Sequence, residues 1–152
     1  MGTETLIIEN EAALAGLAAR LAPLLKKGDV LTLKGNLGAG KTAFARALIR
    51  TLAGRSEEVP SPTFTLVQVY DFAPFSVYHF DLYRLEEKEV DILELGWDDA
   101  RKDGVCLVEW PERLGMLLPR DRLDIEISFH KSKETAREIT LWPHGTWEDR
   151  LR

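Results

Sequence analysis

Hydrophobic residues recur every three to four positions in two early segments of the chain. The first spans residues 14–25 and the second spans residues 44–52, and this spacing is typical of helices that pack one face on a core. Asn10 lies where an N-cap of the first helix is expected, and Pro23 should kink or end that helix. Gly54 follows the second segment, where a C-terminal cap belongs. The pattern therefore predicts two amphipathic helices in the first third of the chain.

Short apolar or alternating runs predict the strands of a sheet. They cover residues 5–9, 30–33, 64–72, 76–83, 105–108, 123–129 and 138–142. Two neighbouring pairs of runs predict hairpins, which turn at residues 73–75 and 131–134. Between the hairpins, residues 86–95 have a helical composition. Strands and helices followed by hairpins predict an α/β fold whose parallel core carries antiparallel additions.

The length and charge of the chain limit the functions that it can perform alone. Its 152 residues correspond to a single domain, residues 1–152, and its 45% hydrophobic and 30% charged residues are typical of a globular protein. The 25 acidic and 20 basic residues give a net charge of −5. Because proteins that bind nucleic acid unaided carry a basic surplus, this charge disfavours direct binding of nucleic acid.

Cysteine, histidine and the N-terminal segment exclude further classes of protein. Cys106 is the only cysteine, so an internal disulfide is excluded and a reducing compartment is expected. His79, His130 and His144 lie far apart in the sequence and lack metal-ligand spacing, which disfavours a zinc site. Four charged residues interrupt the apolar N-terminal segment. We therefore expect neither a signal peptide nor a membrane span, and we expect a cytoplasmic location.

The strongest chemical signal is the octet Gly35-Asn36-Leu37-Gly38-Ala39-Gly40-Lys41-Thr42. It matches G-x-x-x-x-G-K-[ST] and lies between a predicted buried strand and a predicted helix, where a phosphate-binding loop has to lie. Glycines let backbone N–H groups converge on phosphate oxygens, and Lys41 supplies a positive charge. The Thr42 hydroxyl is suited to hold the Mg²⁺ ion that bridges the phosphates. We therefore expect a three-layer P-loop NTPase-like domain with a mixed sheet and hairpin additions.

Two carboxylates are candidates for the metal and the chemistry. Glu109 ends the apolar run 105–108, which is the form of the second nucleotide-binding motif, so we expect it to hold Mg²⁺ and to contribute to catalysis. The alternative is a charged residue that merely ends a strand. Asp81 shares one face of an alternating strand with His79. It could hold a metal-bound or attacking water, or alternatively make a hydrogen bond within the hairpin.

Four further features bear on the site. Residues 61–65 are either a switch segment that senses the γ-phosphate or a plain loop. Trp110 either lies beside the nucleotide or a partner, or is a core residue. Cys106, among apolar strand residues, is expected to be buried and unreactive. Arg84 and Arg113 are candidates for an arginine finger, which a partner could supply instead.

The motifs that are missing narrow the choice of nucleotide. The sequence contains neither an N/T-K-x-D motif nor a D-x-x-G switch, so we expect ATP rather than GTP. The first hypothesis is a Mg²⁺-dependent ATPase that is slow alone and active with partners. A small-molecule kinase and a nucleotide-dependent binding module without hydrolysis are the alternatives.

Four blocks of sequence together resemble the TsaE family, also called YjeE. They are residues 37–42, 61–67, 78–85 and 108–113. The resemblance implies an ATPase needed to form the N6-threonylcarbamoyl group on the adenosine beside the anticodon of ANN-decoding tRNAs. It implies TsaD and TsaB as partners, with tRNA contacted only through their complex and with no membrane. The transfer chemistry would belong to TsaD, and ATP hydrolysis would reset the complex between turnovers.

The same resemblance implies roles for individual residues. ATP or ADP would be bound by Glu11, Leu37, Gly38, Ala39, Gly40, Lys41 and Thr42. Thr42 and Glu109 would hold Mg²⁺, and the catalytic residues would be Lys41, Asp81 and Glu109. Ala43 stands where relatives often have a second threonine, so any contact of that hydroxyl with the γ-phosphate is lost here.

Overall fold

A seven-stranded sheet organises residues 2–72, 74–85 and 91–151, which the computed structural model describes. In chain order its strands are β1 (Glu4–Ile8), β2 (Val30–Lys34), β3 (Val67–Asp71), β4 (Ser76–Asp81), β5 (Gly104–Glu109), β6 (Arg122–Phe129) and β7 (Arg137–His144). In space the order is β1-β7-β6-β2-β5-β4-β3. The mixed α/β sheet expected from the sequence is therefore confirmed.

The centre of the sheet is parallel and its two margins are antiparallel. Strand β2 pairs in parallel with β5 and β6, and β4 pairs in parallel with β5. Strands β1, β7 and β6 are joined by antiparallel pairing, as are β3 and β4. Because the parallel strands share a direction, β2, β4 and β5 end at the same edge of the sheet. Glu109 lies opposite both Leu33 and Asp81 at that edge.

Helices cover the two faces of the sheet unequally. They are α1 (Glu11–Leu21), α2 (Lys41–Ala53), α3 (Trp97–Asp103) and α4 (Trp147–Arg150). The larger apolar core contains residues of α1, α2 and α4, and the smaller one, on the opposite face, contains residues of α3. This arrangement makes three layers. In the part of the chain that the structure describes, no helix is both long and apolar enough to cross a membrane.

The predicted helix ends are confirmed by local geometry. The Asn10 side chain accepts a hydrogen bond from the backbone N–H of Ala13 and caps α1. The helix ends at Leu21, and Pro23 lies in a short 3₁₀ turn directly after it. Gly54 has a φ of 70° at the end of α2, a conformation that favours glycine.

Two predicted elements were wrong in part. The run 64–72 begins as a turn, in which the Leu66 N–H donates to the Pro62 carbonyl, and the strand starts only at Val67. Of the predicted helix 86–95, residues 86–90 lie outside the described residues, as does residue 73 of the first hairpin turn. Residues 92–95 form a 3₁₀ turn, and the α-helix α3 instead follows Gly96, whose φ of 87° separates the two.

A buried carboxylate joins three strands on the face opposite α1 and α2. Asp124 on β6 accepts hydrogen bonds from the Thr32 hydroxyl at 2.5 Å and from the Arg122 Nε at 2.9 Å. Its second oxygen lies 2.9 Å from the His144 Nε2 and 3.6 Å from the Lys34 Nζ. Burial acts to raise the pKa of Asp124, but the hydrogen bonds from Thr32 and Arg122 and the charges of Lys34 and Arg122 outweigh it and hold the pKa below its ordinary value. The cluster therefore fixes β2, β6 and β7 relative to one another.

Removing the charge of Asp124 is expected to destabilise the fold. Asp124→Asn keeps the volume but loses the ionic hydrogen bonds, so the free energy of unfolding at pH 7 should fall by about 2 kcal/mol. Because the folded-state pKa lies below that of the unfolded chain, the carboxylate stabilises above about pH 3.9, and this contribution is lost as the pH falls. In urea denaturation, the difference in free energy of unfolding between wild type and Asp124→Asn should therefore become smaller below pH 4.

The matched control is Glu126→Gln, which removes an exposed carboxylate from the same face of the same strand. Its free energy of unfolding should stay within about 0.5 kcal/mol of wild type. Equal losses in the two variants at pH 7 would contradict a special role for Asp124.

Candidate functional site

The chain turns sharply between β2 and α2, and two glycines make that turn sterically possible. Gly35 has a φ of 153°, and a Cβ there would lie only 2.3 Å from the Ile127 carbonyl oxygen. Gly40 has a φ of 115° and directly precedes α2. The Arg137 Nε donates to the Ala39 carbonyl at 2.9 Å and ties the loop to β7. The loop is thus held at the N-terminus of α2, where backbone N–H groups lack intrahelical acceptors.

Lys41 is folded back into the loop. Its Nζ donates to the Gly35 carbonyl at 2.5 Å and lies 3.7 Å from the centre of the Trp110 ring. The side chain is buried. Burial lowers the pKa of Lys41 although the negative charges of Glu109 and Asp81 act to raise it. The ammonium is therefore a poorly solvated cation with one carbonyl and one aromatic face as neighbours.

Glu109 at the end of β5 is bound from two sides. The Thr42 hydroxyl donates to its Oε2 at 2.9 Å, and the His79 Nε2 lies 2.7 Å from the same oxygen. Glu109 is only 3% exposed, so both contacts are shielded from water. The adjacency of β2 and β5 thus brings together Thr42 and Glu109. These are the two residues expected to hold one metal ion.

Asp81 at the end of β4 connects the site to the segment before β3. Its Oδ2 accepts from the Thr63 hydroxyl at 3.0 Å, and its Oδ1 accepts from the backbone N–H of Tyr83. The Asp81 N–H in turn donates to the carbonyl of Leu66, a buried residue with a φ of 71°. Asp81 therefore makes hydrogen bonds within and next to the hairpin, as one of its two interpretations predicts.

These groups line a cavity of about 530 Å³ at the edge where the parallel strands end. Lys41, Thr42, Asp81 and Glu109 all border it. Four other lining residues are Leu37, Ser61, Arg84 and Trp110. The guanidinium of Arg113, the other arginine considered, lies instead 3.5 Å from the Tyr83 carbonyl. The cavity therefore combines a glycine loop, a lysine and two carboxylates, which is the chemistry expected for a phosphate and a divalent cation.

Glu11 lies beside a second cavity, of about 410 Å³, on the other side of the loop. This cavity is lined largely by apolar side chains, among them Ile8, Leu14, Ile127 and Ile139. Gly40 and Ala43 border both cavities. The two cavities are thus neighbours across the start of α2, the first bordered by charged side chains and the second largely apolar.

Sequence reasoning missed several residues of this region. Spacing alone makes His79 an unremarkable histidine, although its alternation with Asp81 on β4 places both side chains on one face of the strand. No pattern in the sequence indicates that Arg137 contacts the loop, or that the backbone of Trp110 has a φ of 60°.

Cys106 is buried, as predicted. Burial raises the pKa of its thiol to about 12.

Comparisons with known proteins agree with this geometry. A family model described as "Threonylcarbamoyl adenosine biosynthesis protein TsaE" matches residues 8–139. The tRNA threonylcarbamoyladenosine biosynthesis protein TsaE of Bacillus subtilis is 43% identical over 138 residues, which cover 90% of this chain and 82% of that protein. The protein of the same name from Rickettsia conorii is 39% identical over 145 residues, covering 95% of this chain and 82% of that protein.

A solved structure extends the similarity to the fold. The crystal structure of YdiB from Bacillus subtilis aligns with a TM-score of 0.79 at 32% sequence identity. The alignment covers 99% of this chain and 92% of that one. From the family match, the identities over most of the chain and the shared fold, it follows that the chain belongs to the TsaE family, P-loop proteins of threonylcarbamoyl adenosine biosynthesis.

Proposed function

We propose that this chain is a Mg²⁺-dependent ATPase that serves the threonylcarbamoylation of tRNA adenosine. One observation carries the proposal: Lys41, Thr42, Asp81 and Glu109 border one cavity at the end of a glycine loop. The names of the relatives supply the pathway. The acceptors are ANN-decoding tRNAs, and TsaD and TsaB are the partners.

The loop would bind the phosphates of ATP or ADP. The backbone of residues 37–40, in which the Ala39 N–H now donates to the Asn36 carbonyl, and the N–H groups of the first turn of α2 would supply hydrogen-bond donors, and the helix dipole favours an anion there. Lys41 supplies the charge. Because its Nζ already donates to the Gly35 carbonyl, the phosphates have to offer it a stronger acceptor, which a charged oxygen does.

The residues present fit a magnesium ion. Thr42 and Glu109 place a hydroxyl and a carboxylate within hydrogen-bond distance of each other at the cavity, and Mg²⁺ takes oxygen ligands with few side chains and several waters or phosphate oxygens. Among the residues described, no group of three or more His, Cys, Asp or Glu forms a fuller metal site. When bound, Mg²⁺ neutralises the charge that develops on the phosphates.

Asp81 would orient the nucleophilic water for attack on the γ-phosphate. Its carboxylate borders the cavity and accepts a hydrogen bond from Thr63, in the segment that we expect to act as a switch. A γ-phosphate in the cavity would compete for the Thr63 hydroxyl and release one oxygen of Asp81. Nucleotide binding and the position of the switch segment would in this way be coupled through one hydrogen bond.

The adenine base would enter the apolar cavity beside Glu11. Gly40 and Ala43 border both cavities, so a nucleotide with its phosphates on the loop can reach the second cavity from the first. A flat heterocycle gains affinity from apolar walls, and Glu11 offers an acceptor for its exocyclic amine. The net charge of −5 favours contact with tRNA through TsaD and TsaB rather than by this chain.

Lys41→Ala should abolish hydrolysis, because the cation beside the phosphates is lost. We expect release of inorganic phosphate from ATP, assayed with TsaD and TsaB present, to fall by about 100-fold or more. Lys27→Ala removes an exposed lysine before β2 and should leave the rate unchanged. Undiminished release of inorganic phosphate by the Lys41 variant would contradict the proposal. Transfer of phosphate to a metabolite would instead favour the alternative function of a small-molecule kinase.

Asp81→Asn should separate turnover from binding. The amide keeps the size of the side chain but orients water poorly, so kcat for ATP hydrolysis should fall by about 100-fold. The Kd for ADP, measured by calorimetry, should change by less than about threefold, because Asp81 is not expected to hold the diphosphate. Asp98→Asn, at an exposed position of α3, is the control. Parallel losses of binding and kcat would contradict this role.

Nucleotide binding should change the fluorescence of Trp110. The Lys41 ammonium lies 3.7 Å from the centre of its ring, and a phosphate that draws the ammonium away changes the surroundings of the indole. We expect a shift in tryptophan emission on adding Mg²⁺ and ADP that disappears in Trp110→Phe. The signal should persist in Trp142→Phe, whose side chain is exposed on β7. If the emission shift remains in Trp110→Phe, another tryptophan is its source and the prediction is contradicted.

A further inference from the structure

The carboxylate of Glu109 has one protein donor facing the cavity and one behind it. Thr42 borders the cavity, whereas His79 is fully buried on β4. The register explains why they meet: Asp81 lies opposite Glu109, and His79 lies opposite Leu107 two residues earlier. His79 therefore reaches the same Glu109 oxygen as Thr42, at 2.7 Å, from inside the protein.

The remaining ring nitrogen indicates which way this hydrogen bond runs. Among the described residues the Nδ1 of His79 has no hydrogen-bond partner. A buried N–H without an acceptor is costly, and a carboxylate cannot donate to Nε2. The arrangement is satisfied best when Nε2 carries the proton and donates it in the hydrogen bond to Glu109. His79 is thus fixed as a donor to this carboxylate.

A purely structural role would not account for the position of this bond. The backbone ladder already joins β4 to β5 along their whole length. The His79 bond adds a constraint on the side chain of Glu109 alone. If Thr42 turns to a cation, as the proposed function requires, the bond between Thr42 and Glu109 is given up and the His79 bond remains.

We propose that His79 is a positioning residue that holds the Glu109 carboxylate in the orientation needed to bind a divalent cation together with the nucleotide. This inference rests on the proposed function. Residues that hydrogen-bond to metal ligands affect metal affinity by about 10- to 100-fold. We therefore expect His79 to govern affinity for the cation in the presence of nucleotide, and to leave nucleotide binding without cation unchanged.

Two amide variants test the donor directly. The Gln side-chain nitrogen in His79→Gln reaches about as far as Nε2, whereas that of His79→Asn reaches only about as far as Nδ1 and falls short of Glu109. Val77→Ala, a buried residue two positions earlier on the same strand, controls for loss of packing. Thermal unfolding identifies variants that are folded at the temperature of the binding experiments.

The measurement is binding of Mn²⁺ to the ADP-loaded protein by electron paramagnetic resonance, together with ADP affinity in EDTA by calorimetry. We expect His79→Asn to weaken Mn²⁺ binding about 10- to 100-fold, and His79→Gln and Val77→Ala to stay within about threefold of wild type. ADP affinity in EDTA should be the same in all four proteins.

The two failures are distinguishable. If wild type binds neither ADP nor Mn²⁺ with ADP, the proposed function is wrong. If wild type binds both, but the Asn and Gln variants bind Mn²⁺ equally, whether both like wild type or both weakened, the positioning role of His79 is overturned. Equal weakening in Val77→Ala and His79→Asn would also overturn it, because loss of packing would then suffice.

Discussion

The site depends on the parallel register of β2, β5 and β4. That register places Leu33 opposite Glu109 and Glu109 opposite Asp81, so the glycine loop and two carboxylates meet where the three strands end. Side chains alternate between faces along a strand, and a slip of one residue would turn Glu109 away from Thr42. The apolar residues that bury both faces of these strands therefore also determine the chemistry at their ends.

Three polar side chains that border the cavity have partners within the protein in the structure described. The Lys41 ammonium donates to the Gly35 carbonyl, Thr42 donates to Glu109, and Thr63 donates to Asp81. Lys41, Asp81 and Glu109 are buried, so the polar atoms of each need a partner. In the proposed function, nucleotide and cation take over these bonds rather than filling an unsatisfied site. Part of the binding free energy is thus used to exchange partners.

The sequence was most informative where structure is decided locally. The glycine spacing of the loop, the Asn10 cap and the apolar run before Glu109 each depend on a few adjacent residues, and all three are found where they were predicted. The contact between His79 and Glu109 spans 30 residues and depends on strand order. The helix after Gly96 was missed because a short 3₁₀ turn precedes it and interrupts the helical spacing.

The antiparallel half of the sheet supports the loop as well as extending the fold. The Ile127 carbonyl on β6 lies where a side chain at Gly35 would have to go, and Arg137 on β7 donates to the carbonyl of Ala39. Both residues also border the apolar cavity beside Glu11. The alternating pattern of β6 and β7 predicts only an antiparallel hairpin added to the sheet. It does not indicate that the hairpin contacts the loop. Because its backbone and one arginine touch the loop directly, a change in the β6–β7 register would alter the loop and the second cavity together.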